Sequence, residues 1–147
     1  MKPKLLYIYR DPMEWRSPAV QNEYVQRDES IIYALVPKFS IATKKNLLTL
    51  KPSIASTFSY ILTHLQNDPE TQTFTYEKSL AIISNIHEQF PDIKIVVYTG
   101  ASYHTVTEEQ LKEAGAKAVI RKQSIRHLEE DVEEVKNCLE RLLNEQP

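Results

Sequence analysis

Glycine is nearly missing. The 147 residues contain two, Gly100 and Gly115, where an average composition of about 7% would supply roughly ten. A dinucleotide-binding G-x-G-x-x-G turn, a phosphate-cradling P-loop and a G-x-S-x-G nucleophile elbow all need clustered glycines, because the backbone must turn tightly or approach a ligand closely. Two isolated glycines form none of these motifs. Cysteine is scarcer: Cys138 stands alone, which excludes an intrachain disulfide and a cysteine metal cluster and fits a reducing compartment. Long hydrophobic runs are absent too. The longest near the start, Leu5-Leu6-Tyr7-Ile8-Tyr9, is too short for a signal-peptide core or a membrane span, so a cytoplasmic location is expected. A formal net charge of −2 gives no general pull toward nucleic acid or an anionic membrane.

What is present is ordinary for a soluble globular chain, and the length suits one domain over residues 1–147. Leu5 to Tyr9 reads as a β-prone run stopped by the Asp11-Pro12 turn signal. Arg10 to about Gln21 is polar with two prolines and reads as a long loop. Tyr24, Val25, Ile31, Ile32 and Leu35 suggest a helix ended by Pro37. Phe39 to Thr43 alternates as a half-buried strand. Asn46 is placed to cap a short helix that Pro52 cuts or bends. Phe58 to Leu65 reads as a second buried strand, and Leu80, Ile83, Ile86, His87 and Phe90 repeat at helical spacing.

Ile93 to Tyr98 is the strongest strand, since β-branched residues dominate it. Thr107-Glu108-Glu109-Gln110 is a capping box, and Gly115 a natural left-handed stop. Ala118-Val119-Ile120 forms a last strand. Leu128, Val132, Val135, Leu139 and Leu142 make one stripe on a final amphipathic helix. The order βαβαβαβαβα, with crossovers suited to parallel pairing, predicts an α/β fold: a flavodoxin-like, doubly wound, five-stranded parallel sheet.

The C-terminal half carries a specific resemblance. Ile93-Lys94-Ile95-Val96-Val97-Tyr98-Thr99-Gly100, followed by Leu111-Lys112-Glu113-Ala114-Gly115-Ala116-Lys117-Ala118-Val119-Ile120-Arg121-Lys122, resembles the end of a response-regulator receiver (CheY-like) domain. In that family the fourth strand ends in Thr or Ser before a small residue. A helix ending in Ala-Gly-Ala follows, and the fifth strand ends in a lysine. The resemblance implies a switch role for Thr99, the pocket-lysine role for Lys122, and a (βα)5 fold with an enlarged first loop. Val119 occupies the position of the aromatic residue that usually rotates with the switch residue.

The N-terminal half departs from the family where its chemistry lies. A receiver's first strand ends in two acidic residues that hold Mg²⁺; here Tyr9 and Arg10 fall on those positions, with Asp11 one step later. The phosphoacceptor aspartate ends the third strand, and aligning Tyr60-Ile61-Leu62-Thr63-His64-Leu65 there puts His64 in its place. Transfer of a phosphoryl group to a receiver needs a carboxylate nucleophile and a hard cation held by oxygen ligands. Tyrosine, arginine and histidine supply neither. The resemblance is therefore to a degenerate, pseudo-receiver form, expected to need no cofactor and no metal and to perform no catalysis. Asp68, the nearest other acid, lies past the strand end and directly before a proline.

Alternatives stand beside this reading. Thr99 and Lys122 are either a residual switch or relics of the fold, the one ending a strand and the other reaching solvent. Arg10, His64 and Lys122 would form an anion pocket at the carboxyl ends of the strands, where this fold class places ligands, which would make the chain an anion- or small-ligand-binding protein or an enzyme of flavodoxin-like fold; a pocket filled by Tyr9 would oppose that. An atypical but genuine phosphoaccepting site is a third possibility. His87, on an apolar helix face, reads as a packing residue. Tyr103 and His104 read as exposed loop residues, and no histidine pair has metal-ligand spacing. The acidic run Glu129 to Glu134 argues against nucleic acid at the last helix. The expected partner is a signalling protein, or a second copy of the chain, meeting the region Thr107 to Leu143, as receivers commonly do in two-component signal transduction.

Overall fold

The computed structural model describes residues 1–10, 17–66, 75–100, 105–122 and 127–145. Its elements are β1 (Lys4–Ile8), α1 (Pro18–Leu35), β2 (Ser40–Lys44), a 3₁₀ turn (Leu47–Thr49), α2 (Pro52–Ala55), β3 (Tyr60–Thr63), α3 (Glu77–Gln89), β4 (Lys94–Thr99), α4 (Glu108–Ala114), β5 (Ala116–Arg121) and α5 (Leu128–Asn144). All strand pairs are parallel, in the order β2-β1-β3-β4-β5. The expected five-stranded, doubly wound sheet is the one that forms.

The period-two alternation of each strand sorts the core into two layers. Leu6, Ile8, Ile61, Ile95 and Val97 face a cluster that includes Leu47 and Ala55, Ile83 and Ile86 of α3 and Leu111 of α4. Leu5, Tyr7, Tyr60, Leu62, Val96 and Tyr98 face the other way, against Ile31 and Leu35 of α1 and Val135, Leu139 and Leu142 of α5. Tyr7, Tyr60 and Tyr98 are among the largest fully buried side chains. A buried phenol needs a hydrogen-bond partner for its hydroxyl, and for two of the three that requirement shapes the site described below.

Local signals explain most element ends. Thr107 and Gln110 form the capping box: Thr107 Oγ1 accepts from the Gln110 amide at 3.0 Å, and the Thr107 amide donates to Gln110 Oε1 at 2.8 Å. Gly115 closes α4 at φ 123°. Asn46 accepts from the Leu48 amide at 2.8 Å and opens only a single 3₁₀ turn, with Pro52 starting α2.

The first helix starts earlier than the sequence suggests. Residues 18–21, read as loop, already belong to α1: Ser17 caps it and Pro18 occupies its first turn. Proline there lacks only an amide that the first turn leaves unpaired anyway. Asp11, Asp68, Tyr103 and His104 lie outside the described residues.

Candidate functional site

The site stands at the carboxyl ends of the strands, on the side of the sheet covered by α1 and α5. His64 follows β3 directly and is buried, at 3% exposure. Its Nε2 lies 2.8 Å from Asp28 Oδ1. The Tyr7 hydroxyl donates to the same carboxylate oxygen and lies 3.3 Å from His64 Nε2. Burial above all, then the positive field of Lys122, lowers the His64 pKa to about 4, against the pull of Asp28. At neutral pH the imidazole is therefore uncharged, and its contact with Asp28 is a hydrogen bond donated by Nε2–H rather than an ion pair. Burial would raise the Asp28 carboxyl, but the hydrogen bonds from His64 and Tyr7 and the field of Lys122 outweigh it, and its pKa falls. Burial and the neighbouring Asp28 carboxylate push Tyr7 well above the usual phenol range, so it stays a donor.

A second cluster begins one residue earlier on the same helix. Arg27 Nη1 donates to Asp131 Oδ2 and to the Tyr98 hydroxyl, both at 2.6 Å, and the Tyr98 hydroxyl donates to Asp131 Oδ2 at 2.7 Å. Arg27 and Asp131 are 4% and 0% exposed. The two clusters touch through the rings of His64 and Tyr98, whose centroids are 5.3 Å apart. Together they tie α1 and α5 to β1, β3 and β4.

Neither Arg27, Asp28 nor Asp131 stood out in the sequence, yet a signal existed. Positions 27, 28, 31 and 35 fall on one helical face, as do 131, 135, 138, 139 and 142. Both apolar stripes therefore contain charged residues, and a charge on a core-facing stripe must be paired in the folded chain.

The residues expected from the sequence are gathered only in part. Tyr9 is half-buried and packs edge-on to Tyr7 at 5.6 Å; it is Tyr7, two residues earlier, that enters the hydrogen-bonded cluster. Arg10 is half-buried with its guanidinium 3.6 Å above the Tyr24 ring. Lys122 does not simply extend into solvent: its ammonium lies 4.9 Å above the Tyr98 ring. Burial, then Arg10, lowers its pKa well below the usual lysine value. Thr99 ends β4 and is buried, and its carbonyl accepts from the Lys122 amide at 2.8 Å. Val119 is half-buried beside the α3/α4 layer.

Of the three expected cations, His64 thus faces a carboxylate and is neutral, while Arg10 and Lys122 repel each other electrostatically. Nor do the residues present fit a hard divalent cation. Asp28, the carboxylate beside His64, already accepts two hydrogen bonds, and among the described residues no group of three or more His, Cys, Asp or Glu could hold a metal ion.

This strand order and helix arrangement are those of the response-regulator receiver (CheY-like) fold, and the resemblance read from the sequence holds for the fold. The structure of the Mn²⁺-bound response regulator Rcp1 aligns over 99% of this chain and 98% of its own, with a TM-score of 0.62 and 15% identity. HP1043, an orphan response regulator of H. pylori, aligns over 90% of this chain and 96% of its own, at TM-score 0.55 and 16% identity. A response regulator from Thermotoga maritima aligns over 93% and 99%, at 0.55 and 18%. Identities this low describe a shared fold. No protein-family model matches the chain, and no curated protein sequence does. Among the described residues, no helix is long and apolar enough to cross a membrane.

Proposed function

We propose that the chain is a pseudo-receiver: a signalling domain that acts by binding a protein partner and does not accept a phosphoryl group on aspartate. One observation carries this reading. His64, which directly follows β3 and which the sequence resemblance aligns with a receiver's phosphoacceptor, lies in a buried hydrogen-bonded cluster with Tyr7 and Asp28. A neutral imidazole whose Nε2–H is committed to a carboxylate cannot replace an aspartate nucleophile, and Tyr9 and Arg10 cannot replace the acidic pair that would hold the cation. The partner surface in this reading runs from Thr107 to Leu143 and takes in α4, β5 and α5. A second copy of the chain is one candidate partner, and a cytoplasmic setting agrees with the lone cysteine.

The test is amide NMR of the ¹⁵N-labelled protein with Mg²⁺ and beryllium trifluoride or acetyl phosphate. The reading expects the resonances of Thr99, Gly100 and Lys122 to stay in place. Shifts at those amides that vanish when Mg²⁺ is removed would overturn it.

A further inference from the structure

A cleft of about 510 Å³ opens between the edge strand β5 and the helix α5. One wall is the strand itself, Ala118, Val119 and Ile120; the other is acidic, with Glu130, Glu133 and Glu134. The cleft exists because of how α5 is seated. The helix packs on α1 and shares one buried layer with Ile120 of β5 through Val135, Cys138 and Leu139, and Asp131 at its first turn is bonded to Arg27 and Tyr98. β5 is the last strand of the sheet and pairs with β4 alone. Among the described residues, no backbone hydrogen bond reaches its outer edge.

An open strand edge is a template for a further strand, with backbone hydrogen bonds supplying affinity and alternate side chains supplying selectivity. Here the selectivity is electrostatic. Glu130 and Glu134 are four residues apart on α5, or about 6 Å along a helix axis. Alternate residues of an added strand are spaced by about 6.6 Å, so basic side chains at every second position would meet the two carboxylates in turn. Glu133 adds a third acid, and Glu130 has His127 at 3.4 Å as its only described ion-pair partner. Arg141, further along the same wall, sets the limit of the basic run by repulsion. The same charges disfavour a second copy, because pairing two β5 edges would bring two acidic walls together.

We infer that this cleft docks an extended segment of a partner protein, carrying lysine or arginine at alternate positions, as a sixth strand on β5. The inference rests on the proposed partner-binding role and specifies the chemistry of the partner.

The probe is a capped Lys-Val-Lys-Val-Lys peptide titrated into the ¹⁵N-labelled full chain. The expected result is saturable shifts at the amides of Ala118, Val119 and Ile120. Two N-methylated peptides, one methylated at the valines and one at the first and third lysines, keep the charge. Affinity should fall at least tenfold for the one whose methyls face β5, because alternate amides of a strand point to opposite edges. It should fall at least tenfold as well with the folded E130K/E134K variant. Undiminished binding of both N-methylated peptides, shifts centred away from β5, or no binding would each overturn the inference. So would a concentration-dependent doubling of mass in sedimentation that the peptide competes away, since this would assign the edge to a second copy. The outcome is independent of the beryllium trifluoride test: shifts at Thr99 and Lys122 would end the pseudo-receiver reading and leave the strand-docking result untouched.

Discussion

Arg27 and Asp131 are 104 residues apart in the chain and 2.6 Å apart in the fold, with the Tyr98 hydroxyl bonded to both. Desolvating two charges is costly, so such a pair is a weak source of net stability, but its disruption leaves one charge buried alone. Asp131→Ala should therefore destabilise the protein by about 3–5 kcal/mol. The double variant Arg27→Met/Asp131→Leu should recover most of that loss. Urea unfolding of Arg27→Met, Asp131→Leu and the double variant measures the coupling, and additive losses would show that the pair does not act as a unit.

The His64 cluster makes stability depend on pH. Its folded pKa, about 4, lies below the unfolded value of 6.5. Between those values the unfolded chain binds a proton that the folded chain refuses, so stability is full above pH 6.5 and falls as the pH drops toward 4. One group shifted this far contributes about 3 kcal/mol over that window. The lowered pKa of Asp28 acts in the same direction, at lower pH. Unfolding free energies measured from pH 8 to pH 4 should show the decline, and His64→Asn should flatten its upper part. An unchanged slope in that variant would place the pH dependence elsewhere.

Gly115 is required twice over. Its φ of 123° is one that residues with a side chain rarely adopt, and an added Cβ would lie 2.4 Å from Cβ and Cγ of His87. Gly115→Ala should cost about 2–4 kcal/mol through strain and overpacking. Adding His87→Gly, which removes both of those atoms, should return the steric part and leave the backbone part when compared with His87→Gly alone, which separates the two in thermal melts. His87 is thus a packing residue, half-buried against the glycine that ends α4.

Lys122 holds its ammonium over the Tyr98 ring in an environment that, through burial and then Arg10, favours the uncharged amine. A lysine with a lowered folded pKa costs stability at every pH below its unfolded value. Lys122→Met should therefore raise the melting temperature at pH 7, by about 2–4 °C for a gain of order 1 kcal/mol in a chain of this size. The gain should shrink toward pH 10, where the unfolded chain also releases its proton. Melting curves at the two pH values check both the sign and the trend.

Much of the fold was legible because it follows from local rules. β-branched runs marked β4, the Thr107 capping box and Gly115 bracketed α4, and the alternation of strand and helix left parallel pairing as the natural topology. The start of α1 was misread because Ser17-Pro18 is equally a loop sequence and a helix entrance; the Gln21 amide donating to the Ser17 carbonyl at 3.1 Å shows that the helix extends back to it. The positions of Tyr9, Arg10, His64, Thr99 and Lys122 were also legible, through strand-end spacing.

What those residues meet was decided by tertiary structure. Arg27, Asp28 and Asp131 belong to elements distant in sequence from the strands they touch, and a charged residue inside a helical stripe does not name its partner. The chain by itself determined a glycine-poor, parallel α/β domain in which Tyr9 and Arg10 follow β1 and His64 follows β3. Only the folded packing turned those strand ends into a neutral His64 bonded to Asp28 and a buried Arg27–Asp131 pair. The reason is physical: backbone propensity and hydrophobic period act over neighbouring residues, whereas the protonation state and partner of a buried charge depend on whatever the fold brings within hydrogen-bond reach.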